Sequence, residues 1–210
     1  MRLWGRGSSL NVQKVLWTLG ELDLDFEHVE VGGRFGGLAT PGFLAMNPHG
    51  RIPVLEDDGR PLWESNAIVR YLCGRYSPGG LCPVDPTARA VQDQWMDWTA
   101  TTLQPAFIGF FWNWYRTPQT QRDAKRCADL LAEAHAAFAT LDAALAERNS
   151  EPLAMGDIPM GAQLYRYYTL DIERPRLPRL QAWYDELTER PAYRSGVMRS
   201  YDELKGRLAF

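Results

Sequence analysis

A β-hairpin predicted in the first third of the chain does most to limit the folds open to it. The stretch RIPVLEDDGRPLWE (51–64) contains two strand-like runs joined by a polar turn, DDG (57–59), which is typical of a tight antiparallel connection. SNAIVRYLCGRYS (65–77) follows, with Ile68 and Leu72 on one face of a predicted helix. A doubly wound parallel sheet would continue here with further parallel βα units, so the hairpin argues against that architecture.

The preceding residues predict a βαβ unit. RLW (2–4) is a short strand candidate, and apolar residues recur at helical spacing from Asn11 to Leu22. DFEHVEV (25–31) then alternates polar and apolar residues as a half-buried strand does, and a short helical piece is expected around FLAM (43–46). The order βαβ-ββα predicts an α/β thioredoxin-like domain with a mixed four-stranded sheet.

The remainder of the chain is predicted to be an all-α C-terminal domain. SPGGLCPVDP (77–86) is rich in proline and glycine, which favours a linker. We therefore expect a first domain at 1–76, a linker at 77–86 and a helical second domain at 87–210. The apolar periodicity predicts helices at 87–113, 119–147, 156–169, 177–190 and 192–204.

Composition argues against several kinds of partner and site. The net charge of −3 provides no overall basic field for nucleic acid or anionic lipid. Cys73, Cys82 and Cys127 include no C-x-x-C pair, which argues against a disulfide framework or a cysteine-rich zinc site and favours a reduced, cytoplasmic setting. The N-terminus lacks the apolar run of a signal peptide, and no stretch approaches the roughly 18 apolar residues of a membrane span. Small molecules are the expected ligands.

The stretch GRGSSLNVQK (5–14), between the first predicted strand and helix, is compatible with two kinds of ligand. A Gly-x-Gly turn with Glu30 about twenty residues later matches part of a dinucleotide-binding pattern. The third glycine of that pattern would fall at Leu10, however, and no G-K-[ST] follows. The sequence therefore argues against a nucleotide.

In a thioredoxin-like domain the start of the first helix is the chemically active position, because its N–H groups and positive dipole end stabilise a thiolate. This chain has serines, a leucine and an asparagine there (8–11), and no cysteine. We infer that it acts on a thiol carried by a ligand.

Two motifs extend this inference. NPHGRIPVL (47–55) followed by WESNAIVRYL (63–72) resembles the glutathione-site signature of the glutathione transferase superfamily. RTPQ (116–119) after an aromatic helix, and the segment 156–193, are similar to bacterial members of that family. The resemblance covers nearly the whole chain. It implies a serine- or asparagine-type cytosolic enzyme that uses glutathione as co-substrate, without a metal or a nucleotide.

The resemblance also implies a set of glutathione-binding residues. A cis peptide bond at Pro53 would turn the backbone of Ile52 toward the cysteinyl part of glutathione, which pairs with it as an added strand does; trans is otherwise the common form. Glu64 and Ser65 would bind the γ-glutamyl ammonium and carboxylate at a helix N-terminus, unless they only cap that helix. Arg51 would pair with a glutathione carboxylate, unless it is merely solvated.

For the chemistry, the resemblance points to Ser9, whose hydroxyl would donate to the glutathione sulfur, and to the amide of Asn11 beside or instead of it; Ser8 is a weaker candidate. Lowering a thiol pKa of about 8.5 by about two units needs roughly 2.7 kcal/mol of preferential stabilisation of the anion. One hydroxyl hydrogen bond and a helix end can supply this. The alternative is that Ser8 or Ser9 only caps the first helix.

The aromatic run PAFIGFFWNWY (105–115) predicts a hydrophobic co-substrate pocket beside the thiol, although a helix cannot aim all of these rings at one cleft. Arg116 either attracts an anionic substrate or ends the helix. The resemblance further implies a homodimer, with the first domain of one subunit packed on the fourth and fifth helices of the other. The expected pocket residues are Leu10, Phe35, Phe111, Trp114 and Tyr115.

The expected function is conjugation of glutathione to a hydrophobic electrophile, as in detoxification. A glutathione-dependent disulfide reductase, a dehalogenase or an isomerase would use the same thiolate, and the sequence does not separate these. A non-catalytic binding protein of the same fold is the rival from another class. The presence of all the predicted glutathione-site residues argues against a non-catalytic binding protein, because a scaffold does not need the complete set.

Overall fold

The computed structural model describes residues 1–147 and 152–209. Its sheet has four strands in the order β2-β1-β3-β4. β1 runs parallel to β2 and antiparallel to β3, and β3 pairs antiparallel with β4. This mixed sheet confirms the predicted α/β thioredoxin-like class. The strands are β1 (Arg2–Trp4), β2 (Glu27–Val29), β3 (Val54–Asp57) and β4 (Arg60–Trp63).

The predicted hairpin is confirmed and turns over two residues. Asp57 pairs with Arg60, and the intervening Asp58 and Gly59 have φ angles of 48° and 73°. Two successive positive φ values match the right-handed twist of the flanking strands, and Asp-Gly tolerates them because glycine has no Cβ.

Three helices accompany the sheet, namely α1 (Leu10–Glu21), α2 (Pro41–Met46) and α3 (Ser65–Tyr76). A short 3-10 turn at Gly33–Phe35 precedes α2. From Val12 to Leu19 every residue of α1 is buried, so this helix is covered on all sides. One apolar core joins it to the sheet and α3, and a larger core joins its Trp17 to the later helices.

The second half is helical, as expected. An unbroken helical segment runs through α4 and α5, because π-helical turns at Thr99–Leu103 and Trp112–Arg116 follow each of them directly. 3-10 turns occur at Gln119–Gln121 and Asp202–Leu204. The α-helices are α4 (Pro86–Trp98), α5 (Gln104–Phe111), α6 (Ala124–Ala144), α7 (Asp157–Gly161), α8 (Leu164–Thr169), α9 (Pro178–Glu189) and α10 (Pro191–Gly196).

The predicted helix at 192–204 is wrong beyond Gly196, where α10 ends. A Cβ at position 196 would lie 2.7 Å from the backbone nitrogen of Trp17, so this glycine allows α10 to pack directly on the backbone of α1. The N–H groups of Val197 and Met198 then both donate to the carbonyl of Tyr193, which closes the helix.

α3 ends at Tyr76 and α4 begins at Pro86; the division into domains at 1–76, 77–86 and 87–210 stays a prediction. The predicted segment at 156–169 consists of two short helices, α7 and α8. Part of the predicted separator RNSEPL lies outside the described residues. Among residues 1–147 and 152–209, no helix has the length and apolar character needed to cross a membrane.

Candidate active site

The strand register brings the predicted site segments to one edge of the sheet. Trp4 at the end of β1 pairs with Val54 at the start of β3, and Val54 pairs with Trp63 at the end of β4. The loop after β1, the residues before β3 and the residues after β4 therefore emerge side by side. These segments carry Ser9, Asn11, Ile52, Pro53, Glu64 and Ser65.

Ser9 is the N-cap residue of α1. Its carbonyl accepts a hydrogen bond from the N–H of Gln13 at 2.9 Å, while its hydroxyl makes no capping hydrogen bond. The side chain is half-buried. Because the first N–H groups of a helix have no intrahelical acceptor, they concentrate positive potential at this end of α1. An anion beside Ser9 would be stabilised there.

Ser8 is engaged elsewhere. Its hydroxyl donates to the carboxylate of Glu203, and its carbonyl accepts from the guanidinium of Arg166. Glu203 also lies 3.5 Å from Arg34 and 3.9 Å from Arg6. The C-terminal 3-10 turn is thus attached to the loop that precedes α1.

Asn11, the second residue of α1, is linked to the second half of the chain. Its Oδ1 accepts a hydrogen bond from Nε2 of Gln104 at 3.2 Å. Oε1 of Gln104 accepts from Nζ of Lys14 at 2.5 Å, and that ammonium also lies 3.4 Å from Oδ1 of Asn66. Nδ2 of Asn66 donates to the carbonyl of Met96. A chain of four polar side chains therefore runs from the start of α1 to α3 and α5.

Lys14 is the unexpected member of this network, because only 2% of its surface is exposed. Burial lowers the pKa of its ammonium to about 7, and the nearby carboxylate of Glu64 opposes that shift. Lysine is rarely buried without a charged partner in contact.

The Ile52–Pro53 peptide bond is cis, as the resemblance implied. Ile52 is half-buried and Pro53 is buried, immediately before β3. The Arg51 side chain is exposed, and its carbonyl accepts a hydrogen bond from Nδ2 of the buried Asn47 at 2.8 Å. Asn47 therefore holds the backbone that leads into Ile52 and Pro53.

Glu64 precedes α3 with φ 67° and ψ 113°, and its side chain makes no capping hydrogen bond. Non-glycine residues at such positive φ are uncommon, and they cluster at functional sites. The side chain is exposed, whereas Ser65 beside it is buried. The capping alternative therefore does not account for Glu64. His49 lies edge-on to Trp63 with an exposed side chain, in keeping with a turn residue.

The predicted pocket residues separate into two groups. Phe111 and Tyr115 stack on each other and meet Tyr201 edge-on, with the guanidinium of Arg166 over the Phe111 ring. Trp114 instead stacks on Phe110 and lies under Arg122. The other two predicted residues also diverge: Leu10 is buried in the larger core, and Phe35 is exposed.

A cavity of about 480 Å³ opens beside Ser8. Arg34 lies over the ring of Phe35 at its wall, and Glu203 faces it from the C-terminal segment. Its lining carries both charge signs. The lining residues are Gly7, Ser8, Glu30, Arg34, Phe35, Arg199, Ser200 and Glu203.

The sequence analysis did not identify the polar and aromatic residues that reach the site from distant parts of the chain. Lys14 gave a usable signal, because it is a charged residue directly before the most apolar run of α1. The others gave none, since nothing local to them indicates contact with residues 8–11. They are Asn66, Gln104, Arg166, Tyr201 and Glu203.

The chain is similar to known proteins over most of its length. Residues 3–80 match the family model "Glutathione S-transferase, N-terminal domain". Glutathione S-transferase GstB of Escherichia coli K12 is 43% identical over 201 residues, which are 93% of this chain and 97% of that protein. Glutathione S-transferase F13 of Arabidopsis thaliana is 28% identical over 92% and 93% of the two chains.

Among solved structures, the theta class glutathione S-transferase of Xanthomonas axonopodis pv. citri with glutathione bound superposes with a TM-score of 0.90. It is 47% identical in sequence and covers 95% of this chain and 97% of its own.

Proposed function

The chain belongs to the glutathione S-transferase superfamily and acts as a glutathione transferase, and on that premise we propose that Ser9 and Asn11 hold the sulfur of bound glutathione as a thiolate. The observation that carries the proposal is the strand register, which brings the first turn of α1, Ile52–Pro53 and Glu64–Ser65 to one sheet edge.

Ser9 and Asn11 suit an anionic sulfur for separate reasons. The Ser9 hydroxyl is not used as a cap, so it can donate to a ligand. Asn11 accepts through Oδ1 from Gln104, which leaves the Nδ2 hydrogens as its remaining donors. A hydrogen bond to a charged group contributes about 1.5–3 kcal/mol, so one such bond with the helix end lowers a thiol pKa by about two units.

The remaining glutathione contacts follow the shape of the peptide. The backbone of Ile52, next to cis Pro53, pairs with the cysteinyl residue as a short added strand. Glu64 binds the γ-glutamyl ammonium and Ser65 the carboxylate, at the N-terminus of α3. Arg51, with its exposed side chain, pairs with a carboxylate of the ligand.

The electrophile binds between the thiolate and the C-terminal segment. Tyr115 and Phe35 supply apolar surface there, and the buried Phe111 supports Tyr115 by stacking on its ring. Leu10 and Trp114 act as packing residues. The thiolate sulfur forms a bond to the electrophilic carbon, and the leaving group departs with its electron pair. Catalysis comes from thiolate formation and from proximity of the two substrates.

The test is a pH titration of the ultraviolet thiolate absorbance of bound glutathione, with wild type, Ser9→Ala and Asn11→Ala. Ser8→Ala is the matched control, because its hydroxyl donates to Glu203. We expect a bound thiol pKa well below the free value of about 8.5, returning toward it in Ser9→Ala, Asn11→Ala or both, but not in the control. An unshifted thiol in the wild type would refute the proposal, as would absence of glutathione binding.

We further propose a cytoplasmic homodimer that detoxifies electrophiles. The exposed side chains of Trp63 on β4 and Val91 on α4 are apolar surface of the kind that subunit interfaces bury. Sedimentation at micromolar concentration is expected to give about twice the 23.9 kDa of the chain. A monomeric mass would contradict the dimer.

A further inference from the structure

The hydrogen bonds between Lys14, Gln104 and Asn11 have a fixed direction. In its ammonium form Lys14 only donates, so Gln104 must present Oε1 to it. Nε2 of Gln104 then faces Asn11, and because this nitrogen only donates, Asn11 must present Oδ1 in return. The orientation of the Asn11 amide is therefore determined by a charge on the next turn of α1.

Asn66 is oriented by the same rule. Its Oδ1 faces Lys14, and its Nδ2 donates to the carbonyl of Met96. Both acceptors around the ammonium are thus neutral amide oxygens, from α3 and α5. The charged group that faces Lys14 from the start of α3 is Glu64, which acts on it without a direct hydrogen bond.

A buried lysine held by neutral acceptors costs folding free energy, because no charge in contact compensates its desolvation. An apolar residue would pack at this position of α1 without that cost. Stability therefore does not explain the network. The network fixes which end of the Asn11 amide faces Gln104, and this orientation provides a functional explanation.

We propose that Lys14 is a positioning residue for thiolate formation, which acts through Gln104 to turn the Nδ2 hydrogens of Asn11 toward the glutathione sulfur. The inference rests on the proposed role of Asn11. Without Lys14 the Gln104 amide is free to rotate and present Oε1 to Asn11. Nδ2 of Asn11 would then donate to Gln104, and Oδ1 of Asn11, which only accepts, would face the anionic sulfur.

Two variants test the direction of the network. Lys14→Met keeps the length of the side chain and removes the charge. Gln104→Glu keeps an acceptor for Lys14 and forms an ion pair with it, but cannot donate to Asn11. A purely structural role for the network predicts that Gln104→Glu is harmless. The proposal predicts that both variants raise the thiol pKa of bound glutathione by about one unit, from roughly 6.5 to roughly 7.5, which lowers the thiolate fraction about threefold at pH 7 and about fivefold at pH 6.5.

The double variant Asn11→Ala/Lys14→Met separates positioning from a direct effect of charge. If Lys14 acts through Asn11, the substitution at 14 shifts the thiol pKa in the wild-type background and has no further effect in Asn11→Ala. An equal shift in both backgrounds would mean that Lys14 attracts the thiolate through space, and would overturn the proposal.

The readouts are the thiol titration of bound glutathione and the kinetics at pH 6.5. We expect kcat to fall about fivefold in Lys14→Met, in line with the thiolate lost at that pH, with the KM for glutathione unchanged and a circular dichroism spectrum like that of the wild type. A normal thiol pKa in both single variants, with a raised pKa in Asn11→Ala, would refute the positioning role alone. No effect in Asn11→Ala would refute the proposed function of Asn11 instead.

Discussion

The hydroxyl of Ser8 donates a hydrogen bond to the carboxylate of Glu203, which attaches the C-terminal 3-10 turn to the loop before α1. The contact spans 195 positions of the sequence and forms one side of the cavity beside Ser8. It places the C-terminal segment next to the proposed sulfur-binding position without using Ser9 or Asn11.

Glu203→Ala is therefore expected to affect the electrophile more than glutathione. Loss of the hydrogen bond and of the nearby Arg34 contact loosens the pocket wall, and we expect the KM for the electrophile to rise about three- to tenfold, which corresponds to ~1 kcal/mol of a partly exposed charged hydrogen bond. The thiol pKa of bound glutathione should not change. Lys205→Ala, an exposed neighbour, is the control. A shifted thiol pKa in Glu203→Ala would contradict this assignment.

Glu64 has a positive φ, and its side chain does not cap α3. Substitutions at this position are therefore expected to affect glutathione binding and protein stability differently. Glu64→Gln should weaken glutathione binding by about tenfold, since it removes one charge-assisted contact of ~1.5 kcal/mol, and it should lower thermal stability slightly, because the carboxylate also favours the buried ammonium of Lys14. Glu64→Gly should bind as weakly as Glu64→Gln or worse but unfold at equal or higher temperature than Glu64→Gln, because glycine accepts φ 67° without a Cβ penalty.

Calorimetric titration with glutathione and thermal unfolding measure these two effects. Glu133→Gln, on the exposed face of α6, controls for the loss of one negative charge. A lower melting temperature for Glu64→Gly than for Glu64→Gln would show that the backbone there is not strained.

Gly196 and Gly74 make a matched pair for the packing of α10 on α1. A Cβ at 196 would lie 2.7 Å from the backbone nitrogen of Trp17, whereas a Cβ at 74, within α3, meets no atom within 4 Å. We expect Gly196→Ala to lower the free energy of unfolding by about 3 kcal/mol through overpacking. Gly74→Ala should raise it by about 0.5–1 kcal/mol, since alanine is the better helix residue. Urea denaturation measures both, and equal stability of the two variants would contradict the close approach.

These features differ in how far the sequence could predict them. The hairpin at 57–59 and the start of α1 depend on turn chemistry and periodicity, which are local. The end of α10 depends on contact between Gly196 and Trp17, and the Gln104–Asn11 hydrogen bond joins residues 93 positions apart. No pattern within either segment contains that information. Lys14 is an intermediate case, because its charge within an apolar helix can be seen in the sequence, whereas its two amide partners cannot.

The buried ammonium of Lys14 also predicts how stability depends on pH. The pKa of Lys14 falls from its ordinary value of 10.5 to about 7 because the side chain is desolvated. Between these values the unfolded chain binds a proton that the folded chain does not, so this residue makes the free energy of unfolding rise with pH across that interval.

Lys14→Met removes this dependence. The variant should be more stable than the wild type by about 1–3 kcal/mol at pH 7, as expected when a buried charge is replaced by an apolar side chain, and the difference should shrink steadily toward pH 9.5. Urea denaturation at pH 6.5, 8 and 9.5 measures it, with Lys125→Met as a control on a lysine that is 86% exposed. Parallel stability curves for wild type and Lys14→Met would mean that Lys14 keeps its ordinary pKa in the fold. A variant that gains stability at pH 7 while it loses thiolate formation would show that the charge is retained for catalysis at the expense of stability.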